Sequence, residues 1–320
     1  MSDWRPSASL EALAARASLL SRLRAFFAVR GVMEVETPLA SLATVTDPAI
    51  DALTLARACP EEPERFLQTS PEYAMKRLLA AGAGDIFQIA RAFRRGECGR
   101  RHNPEFTLLE WYRLGWNHAD LIREVAELLG EMLGRSGWQV WPYRTLFQQA
   151  LDLDPLDERV NDTLLQAAAK TRLGEVPADL DREALLDLLM SHCVEPTLKD
   201  AGIVFVTDFP PSQSALARLE RVQGSLVAAR FECYVDGIEV ANGYWEQHDA
   251  AALRDRFAAD NALRRHRGLV QRAPDQRLLA AQDSGLPECA GVALGVDRLL
   301  ALQLGADEIA EVISFDWARA

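Results

Sequence analysis

The stretch RAFRRGECGRRHNPEFTLLEWY, Arg91–Tyr112, decides how this chain is read. Its flanks alternate and carry apolar and aromatic residues, as strands do. Between them lie about ten residues of charge, Gly and Pro, where a two-residue turn would join two strands. Period 2 places Phe106, Leu108, Glu110 and Tyr112 on one face of the second strand. A carboxylate and a phenol beside two apolar residues suit an ammonium group, although Glu110 alone could also be a solvated strand end. The loop holds Arg95, Arg100, Arg101 and His102, with Arg94 at its root. An arginine fork matches phosphate oxygens, so a basic loop between rigid strands makes a polyphosphate clamp. Charge alone does not separate that clamp from a solvated loop.

Outward from this stretch, the pattern is helix, strands, helix, strands, helix. Leu10, Leu13, Ala17, Leu20, Leu23 and Phe27 form one helix face, with Ser9 as its cap and Gly31 as its stop. VMEVETP reads as a short strand ended by Pro38. TSPEYAMKRLLAAG is a helix capped by Ser70, with Pro71 in its first position and Gly82 beyond its end. RFECYVDGIEVANGYWE is a hairpin, because Asp236-Gly237 lies between two β-rich runs. GVALGVDR joins a strand directly to a helix. Gly291 and Gly295 permit close backbone approach, and the helix start favours an anion. Arg298 in its first turn opposes the helix dipole unless an anion lies there. Glu239 and Glu246 are seven apart, so a regular strand faces them oppositely. A bulge at Asn242-Gly243 would bring both inward as a Mg²⁺ pair; exposed glutamates on two faces is the equal alternative.

Composition sets limits. The 320 residues are 49% hydrophobic, enough for a core. Lys plus Arg is 35 against 47 Asp plus Glu, a net charge of −12 that disfavours general nucleic-acid binding. The five cysteines have no C-x-x-C spacing, so reduced thiols are expected rather than zinc or disulfides. No stretch reaches transmembrane length, so the expectation is a cytoplasmic protein without a membrane partner. Residues 146–198 read as mostly helical and polar, with no visible chemistry.

Together the segments resemble the three signature motifs of class II aminoacyl-tRNA synthetases: motif 1 at about 10–38, motif 2 at about 85–113, motif 3 at about 290–304. TSPEYAMKRLL, RHNPEFTLLEWY and ANGYWE are most similar to lysyl-tRNA synthetases. Too few residues precede motif 1 for an anticodon-binding domain, since small domains need roughly 50 or more. The chain therefore resembles the free-standing lysyl-synthetase-like ligases that modify elongation factor P.

The resemblance implies a single α+β catalytic domain over 1–320, with a mainly antiparallel sheet flanked by helices. It implies a homodimer through motif 1 and no tRNA. The implied activity is ATP-dependent activation of (R)-β-lysine as an adenylate and transfer to a lysine of elongation factor P. A truncated tRNA-charging enzyme and an inactive regulatory module are the alternatives. Arg94 and Arg298 would be catalytic, holding phosphate oxygens. Arg95, Gly96, Glu97, His102, Asn103, Glu239, Val240 and Gly295 would bind ATP. Ser70, Pro71, Glu72, Glu110, Tyr112 and Glu246 would bind the amino acid, and Glu239 and Glu246 would hold Mg²⁺. For Ser70 and Pro71 a purely capping role explains the residues as well. Motif 2 departs from the usual F-R-N-E by one position, which passes its acidic role to Glu97. Gln247 and His248 stand where the lysyl pattern has Leu-Asn. Ala293 replaces the middle motif 3 glycine. Arg100 and Arg101 are left to meet an acidic partner surface.

Overall fold

Ser9 opens the first helix, its Oγ accepting from the Ala12 amide at 3.1 Å, and Gly31 turns the chain out of it at φ +68°. This computed structural model describes residues 4–57 and 59–320. In chain order the elements are α1 (Leu10–Ala28), β1 (Met33–Glu34), β2 (Ala40–Ser41), β3 (Thr54–Leu55), β4 (Arg65–Leu67), α2 (Glu72–Ala80), β5 (Ile86–Phe93) and β6 (Glu105–Leu114). Next come α3 (His118–Leu133), β7 (Trp138–Pro142), α4 (Tyr143–Leu151), α5 (Asp162–Leu173), α6 (Arg182–Leu189), β8 (Ile203–Phe209), β9 (Leu219–Val222), β10 (Ser225–Val235) and β11 (Ile238–Trp245). Then follow α7 (Ala250–His266), α8 (Gln276–Asp283), β12 (Cys289–Gly295) and α9 (Val296–Leu304). They form two compact units. The first is the chain up to Trp116 with Glu131–Gly134 and Glu246–Ala320; the second is Asn117–Gly130 with Arg135–Trp245.

In the first unit the strands run β1-β5-β6-β12. β5 and β6 pair antiparallel around the basic loop, and β12 pairs antiparallel with β6. The short β1 adds in parallel to β5. Helix α1 lays Phe27 on this sheet: its ring stacks on Phe87 at 4.6 Å and lies 5.2 Å from Trp111. Aromatic burial of this kind supplies much of a core's hydrophobic stabilisation. A small antiparallel sheet, β2-β4-β3, completes the strands of this unit. Helix α2 begins one residue later than its cap residues suggest. Pro71 takes the capping position, which carries no side-chain cap, while Ser70 Oγ accepts from the Glu72 amide at 3.2 Å.

In the second unit β8 and β9 each pair antiparallel with β10, which pairs antiparallel with β11; β7 adds in parallel to β8. Asp236 and Gly237, at φ +50° and +76°, make the hairpin turn. Both central residues of that turn type need positive φ, which is why Asp-Gly signals it. The bulge lies nearer the turn than Asn242-Gly243. Cys233 faces Ala241 but Tyr234 faces Glu239, so Val240 is the extra residue. Residues 146–198 are helical, and they build a core: Phe147, Leu165, Leu186, Leu189 and Val194 pack with Val204, Val206 and Tyr234. Antiparallel pairs dominate both units, the α+β class. Among the described residues no helix is long and apolar enough to cross a membrane.

Candidate active site

The first unit gathers four of the expected amino-acid residues around one that composition gave no reason to single out. Lys76 is 2% exposed on α2. Its Nζ lies 2.6 Å from Glu72 Oε1, one helical turn back, and 2.7 Å from the Glu246 carboxylate. Glu110, 2% exposed on β6, accepts at Oε1 from the Tyr112 hydroxyl at 2.8 Å. Its other oxygen, Oε2, is buried without a hydrogen-bond partner. Strand β12 runs beside this cluster with Gly291 opposite Tyr112 and Ala293 opposite Glu110. A Cβ on Gly291 would stand 2.3 Å from Tyr112 Cε1 and 2.5 Å from Glu246 Oε1. Only glycine fits there.

Two carboxylates therefore share one buried ammonium, and a third, Glu110, bonds Tyr112 instead. Burial alone would lower the Lys76 ammonium, but Glu246 and then Glu72 override it and hold the lysine charged. Burial pushes Glu110 up to about 8, with Glu72 adding to the rise. The Tyr112 hydroxyl and Lys76 oppose that rise, and Glu246 reinforces it. Burial, then Glu110, drives the Tyr112 phenol well up. Such a cluster has unused capacity for an ammonium ligand.

The basic loop between β5 and β6 spans 94–104. The Arg94 guanidinium lies 5.1 Å from the Phe106 ring centroid, and Nη1 is 3.5 Å from Glu97 Oε1. Gly96 turns at φ +83°, a conformation costly for other residues. Arg95 donates its amide to Asp51 O at 2.8 Å and keeps an exposed side chain. His102 Nε2 lies 2.8 Å from Arg298 Nη2, so the loop and the start of α9 meet. Gly295 directly precedes α9, under the Arg298 stem. Asn103 is more committed to the backbone than expected: Nδ2 donates to Glu105 O at 2.6 Å and Oδ1 accepts from Trp317 N at 2.9 Å. The Arg100 side chain is exposed. It lies 3.5 Å from Asp307, and the Arg100 carbonyl accepts from Ile309 N at 2.8 Å.

The metal assignment needs correction. Glu246 is 1% exposed and already holds Lys76, so it does not offer the solvent-side oxygens that Mg²⁺ takes. In the second unit the bulge at Val240 turns Glu239 to the face carrying Tyr234 and Glu232. Glu232 is ion-paired to Arg230 and accepts from the Tyr234 hydroxyl at 2.6 Å. Burial raises it to about 7 against the pull of Arg230, with Glu239 adding to the rise. A buried carboxylate with a second carboxylate beside it suits a hard divalent cation. Val240 is buried beside Glu239. The signal for Glu232 was available, since it precedes Glu239 by the same seven residues that separate Glu239 from Glu246. Among the described residues no cluster of three or more His, Cys, Asp or Glu forms a ready metal cage.

A family model described as tRNA synthetases class II (D, K and N) matches residues 1–318, through both units. The chain belongs to the class II tRNA synthetases. Relatives named elongation factor P–(R)-β-lysine ligase are similar along the whole chain. Those of Salmonella paratyphi B (strain ATCC BAA-1250 / SPB7), Salmonella heidelberg (strain SL476) and Salmonella enteritidis PT4 (strain P125109) are each 46% identical. Each match covers 99% of this chain and 98% of the relative. As a class II synthetase the chain uses ATP.

Proposed function

We propose that this class II synthetase is a ligase that activates (R)-β-lysine with ATP and transfers it to a lysine side chain of elongation factor P. The observation that carries the reading is the full-length similarity to ligases of that name. The carboxylate-rich cluster around Lys76 agrees with it, because a diamino acid brings ammonium groups.

In the first step a substrate carboxylate oxygen attacks the α-phosphorus of ATP. The bond to the bridging oxygen breaks, pyrophosphate leaves, and an aminoacyl-adenylate forms. Arg94 and Arg298 hold phosphate oxygens and stabilise the charge that builds on them. His102, beside Arg298, orients that guanidinium. Glu97 steadies Arg94 from within the loop, and Arg95 and the Gly96 backbone border the nucleotide. Asn103, fixed between Glu105 and Trp317, holds the loop's return to β6. Glu232 and Glu239 would hold Mg²⁺, which supplies charge neutralisation on the phosphates. Ser70, Pro71 and Glu72 line the amino-acid side, where Glu110, Tyr112 and Glu246 take the amine. In the second step an acceptor lysine amine, neutral when it attacks, adds to the adenylate carbonyl carbon. AMP leaves with the carbonyl–phosphate bond pair, the amide forms, and the amine's proton passes to solvent.

A homodimer through motif 1 is part of the same reading. Leu10, Val29, Met33, Leu39 and Leu42 are exposed along that segment, a run of apolar surface that a second copy would cover. ATP–pyrophosphate exchange dependent on β-lysine tests the first step. Exchange without tRNA is expected, and none with any lysine isomer would overturn the reading.

A further inference from the structure

Ser7 touches neither nucleotide nor amino acid in the reaction proposed for this chain, yet the basic loop is held in place through it. The loop is closed at its root by Arg94 N, which donates to Pro104 O at 2.9 Å. Further out, Gly99 and His102 exchange backbone hydrogen bonds at 3.1 and 3.2 Å, and this turn carries the imidazole that meets Arg298. On either side of His102 the loop is fixed from outside. Ile309 N donates to Arg100 O at 2.8 Å, and Trp317 N donates to Asn103 Oδ1 at 2.9 Å. Both donors belong to one segment, 307–317, which follows α9.

The two donors are not equally secure. Ile309, Val312 and Ile313 are buried, so apolar packing anchors the first part of the segment. Beyond Ile313 the large apolar side chains are half out in water, Phe315 and Trp317 at 48% exposed each. Polar contacts to Ser7 hold this part instead. The Ser7 amide donates to Ser314 O at 2.8 Å. Its Oγ donates to Asp316 Oδ1 at 2.8 Å and accepts from Asp316 N at 3.0 Å. Arg319 Nη1 adds longer contacts to the carbonyls of Arg5 and Pro6, at 3.5 and 3.4 Å. Ser7 is itself well seated, since the next residue, Ala8, is buried and Ser9 caps α1.

We propose that Ser7 and Asp316 are positioning residues for the ATP loop: their clasp holds Trp317 where its amide fixes Asn103, and so sets His102 against Arg298. The proposal rests on the reading of the basic loop and Arg298 as the ATP site. A loop that samples open arrangements binds its ligand in proportion to the share of time spent in the competent one. Each net hydrogen bond shifts such a share by about two- to tenfold. Loss of the Ser7 hydroxyl removes two bonds at once and frees the Trp317 amide from its place beside Asn103. The alternative is a fastening that only ties 314–319 down. The two roles differ at the loop, because a fastening of that kind leaves 96–104 as it was.

The test uses the full chain with ATP and Mg²⁺ and no amino acid. ATP affinity is measured by calorimetry, and amide hydrogen exchange is followed by mass spectrometry. Ser7→Ala is expected to weaken ATP binding by roughly tenfold. It should speed exchange in 96–104 while β5 and β6 exchange as in the wild type. Ser7→Thr keeps the hydroxyl and should bind ATP as the wild type does. Asp316→Ala should repeat the Ser7→Ala effect, and it serves if that variant does not fold. The double variant should be no weaker than Ser7→Ala, because one clasp is broken in both. A folded Ser7→Ala that binds ATP as tightly as the wild type would overturn the proposal. So would faster exchange in 314–319 with none in 96–104, or losses that add in full in the double variant. Failure of the wild type to bind ATP would instead overturn the reading of this loop as the ATP site, before any variant is compared.

Discussion

Arg16 on α1 and Asp297 at the start of α9 form a buried ion pair, Nη1 to Oδ1, at 2.6 Å. Arg16 Nη2 also donates to Thr107 Oγ1 at 2.6 Å, and Asp297 Oδ2 accepts from the Thr107 amide at 2.7 Å. One contact thus joins α1, β6 and α9. It fixes where Arg298, the next residue, can point.

Removing one partner leaves the other charge buried. Arg16→Met should destabilise the chain by about 3–5 kcal/mol. Adding Asp297→Asn should recover part of the loss, because the two changes are coupled. Denaturant unfolding of the three variants checks this; strictly additive losses would mean that the pair acts as two independent contacts.

Glu110 predicts a pH dependence. Its carboxyl has an ordinary value of 4.5 and a folded value of about 8. Between those values the folded chain keeps a proton that the unfolded chain has lost. Its contribution to stability is therefore full below 4.5 and is lost as pH rises through about 8. From pH ~6 to ~9 the wild type should lose more stability than Glu110→Gln does, by up to a few kcal/mol. Equal losses would place the charge elsewhere. An amine ligand should also expel that proton, so β-lysine binding at pH ~7 should release protons to the buffer. Calorimetry in buffers of different ionisation enthalpy measures the release.

The metal assignment has its own test. Glu232→Gln and Glu239→Gln should each raise the Mg²⁺ needed for half-maximal exchange by roughly tenfold or more, about 1.4 kcal/mol of binding. Glu246→Gln should leave that midpoint in place and raise KM for the amino acid. A shifted Mg²⁺ midpoint in Glu246→Gln would return the metal to the pair first expected from spacing.

Ala293 faces Glu110 across the β6–β12 pair, so its methyl group stands beside the carboxylate proposed to take the amine. One methyl can supply about 1–3 kcal/mol of discrimination. Ala293→Gly should improve use of α-lysine relative to β-lysine by roughly tenfold to two-hundredfold at most. An unchanged preference, measured by exchange with both isomers, would direct attention to Gln247 and His248.

Much of this was legible from periodicity and punctuation. The alternation in Phe106–Tyr112 puts Glu110 and Tyr112 on one face, and their hydrogen bond bears that out. Asp236-Gly237 marked the hairpin, and Ser9 marked the first helix. The bulge was expected but misplaced. A single extra residue changes which glutamates share a face, and nothing in VDGIEVANG says that it is Val240. That bulge still puts Glu239 and the strand positions leading to Glu246 on one face, but Glu246 is taken up by Lys76. Lys76 was hidden because a lysine in a helix is ordinarily solvated. Only the fold shows that its i−4 neighbour and a glutamate 170 positions later close on it. The Arg16–Asp297 pair is separated by 281 positions and has no local signature. The helices of 146–198 build the core of the second unit, a role visible only when their apolar faces meet β8 and β10.

The central claim is that this class II synthetase charges a protein. The most direct measurement is the intact mass of purified elongation factor P after incubation with this chain, ATP, Mg²⁺ and (R)-β-lysine. The account predicts that the factor gains one lysyl residue, that the gain requires ATP, and that it is lost with Arg298→Ala. A factor whose mass does not change, while the same enzyme sample sustains β-lysine-dependent pyrophosphate exchange, would contradict the assigned acceptor.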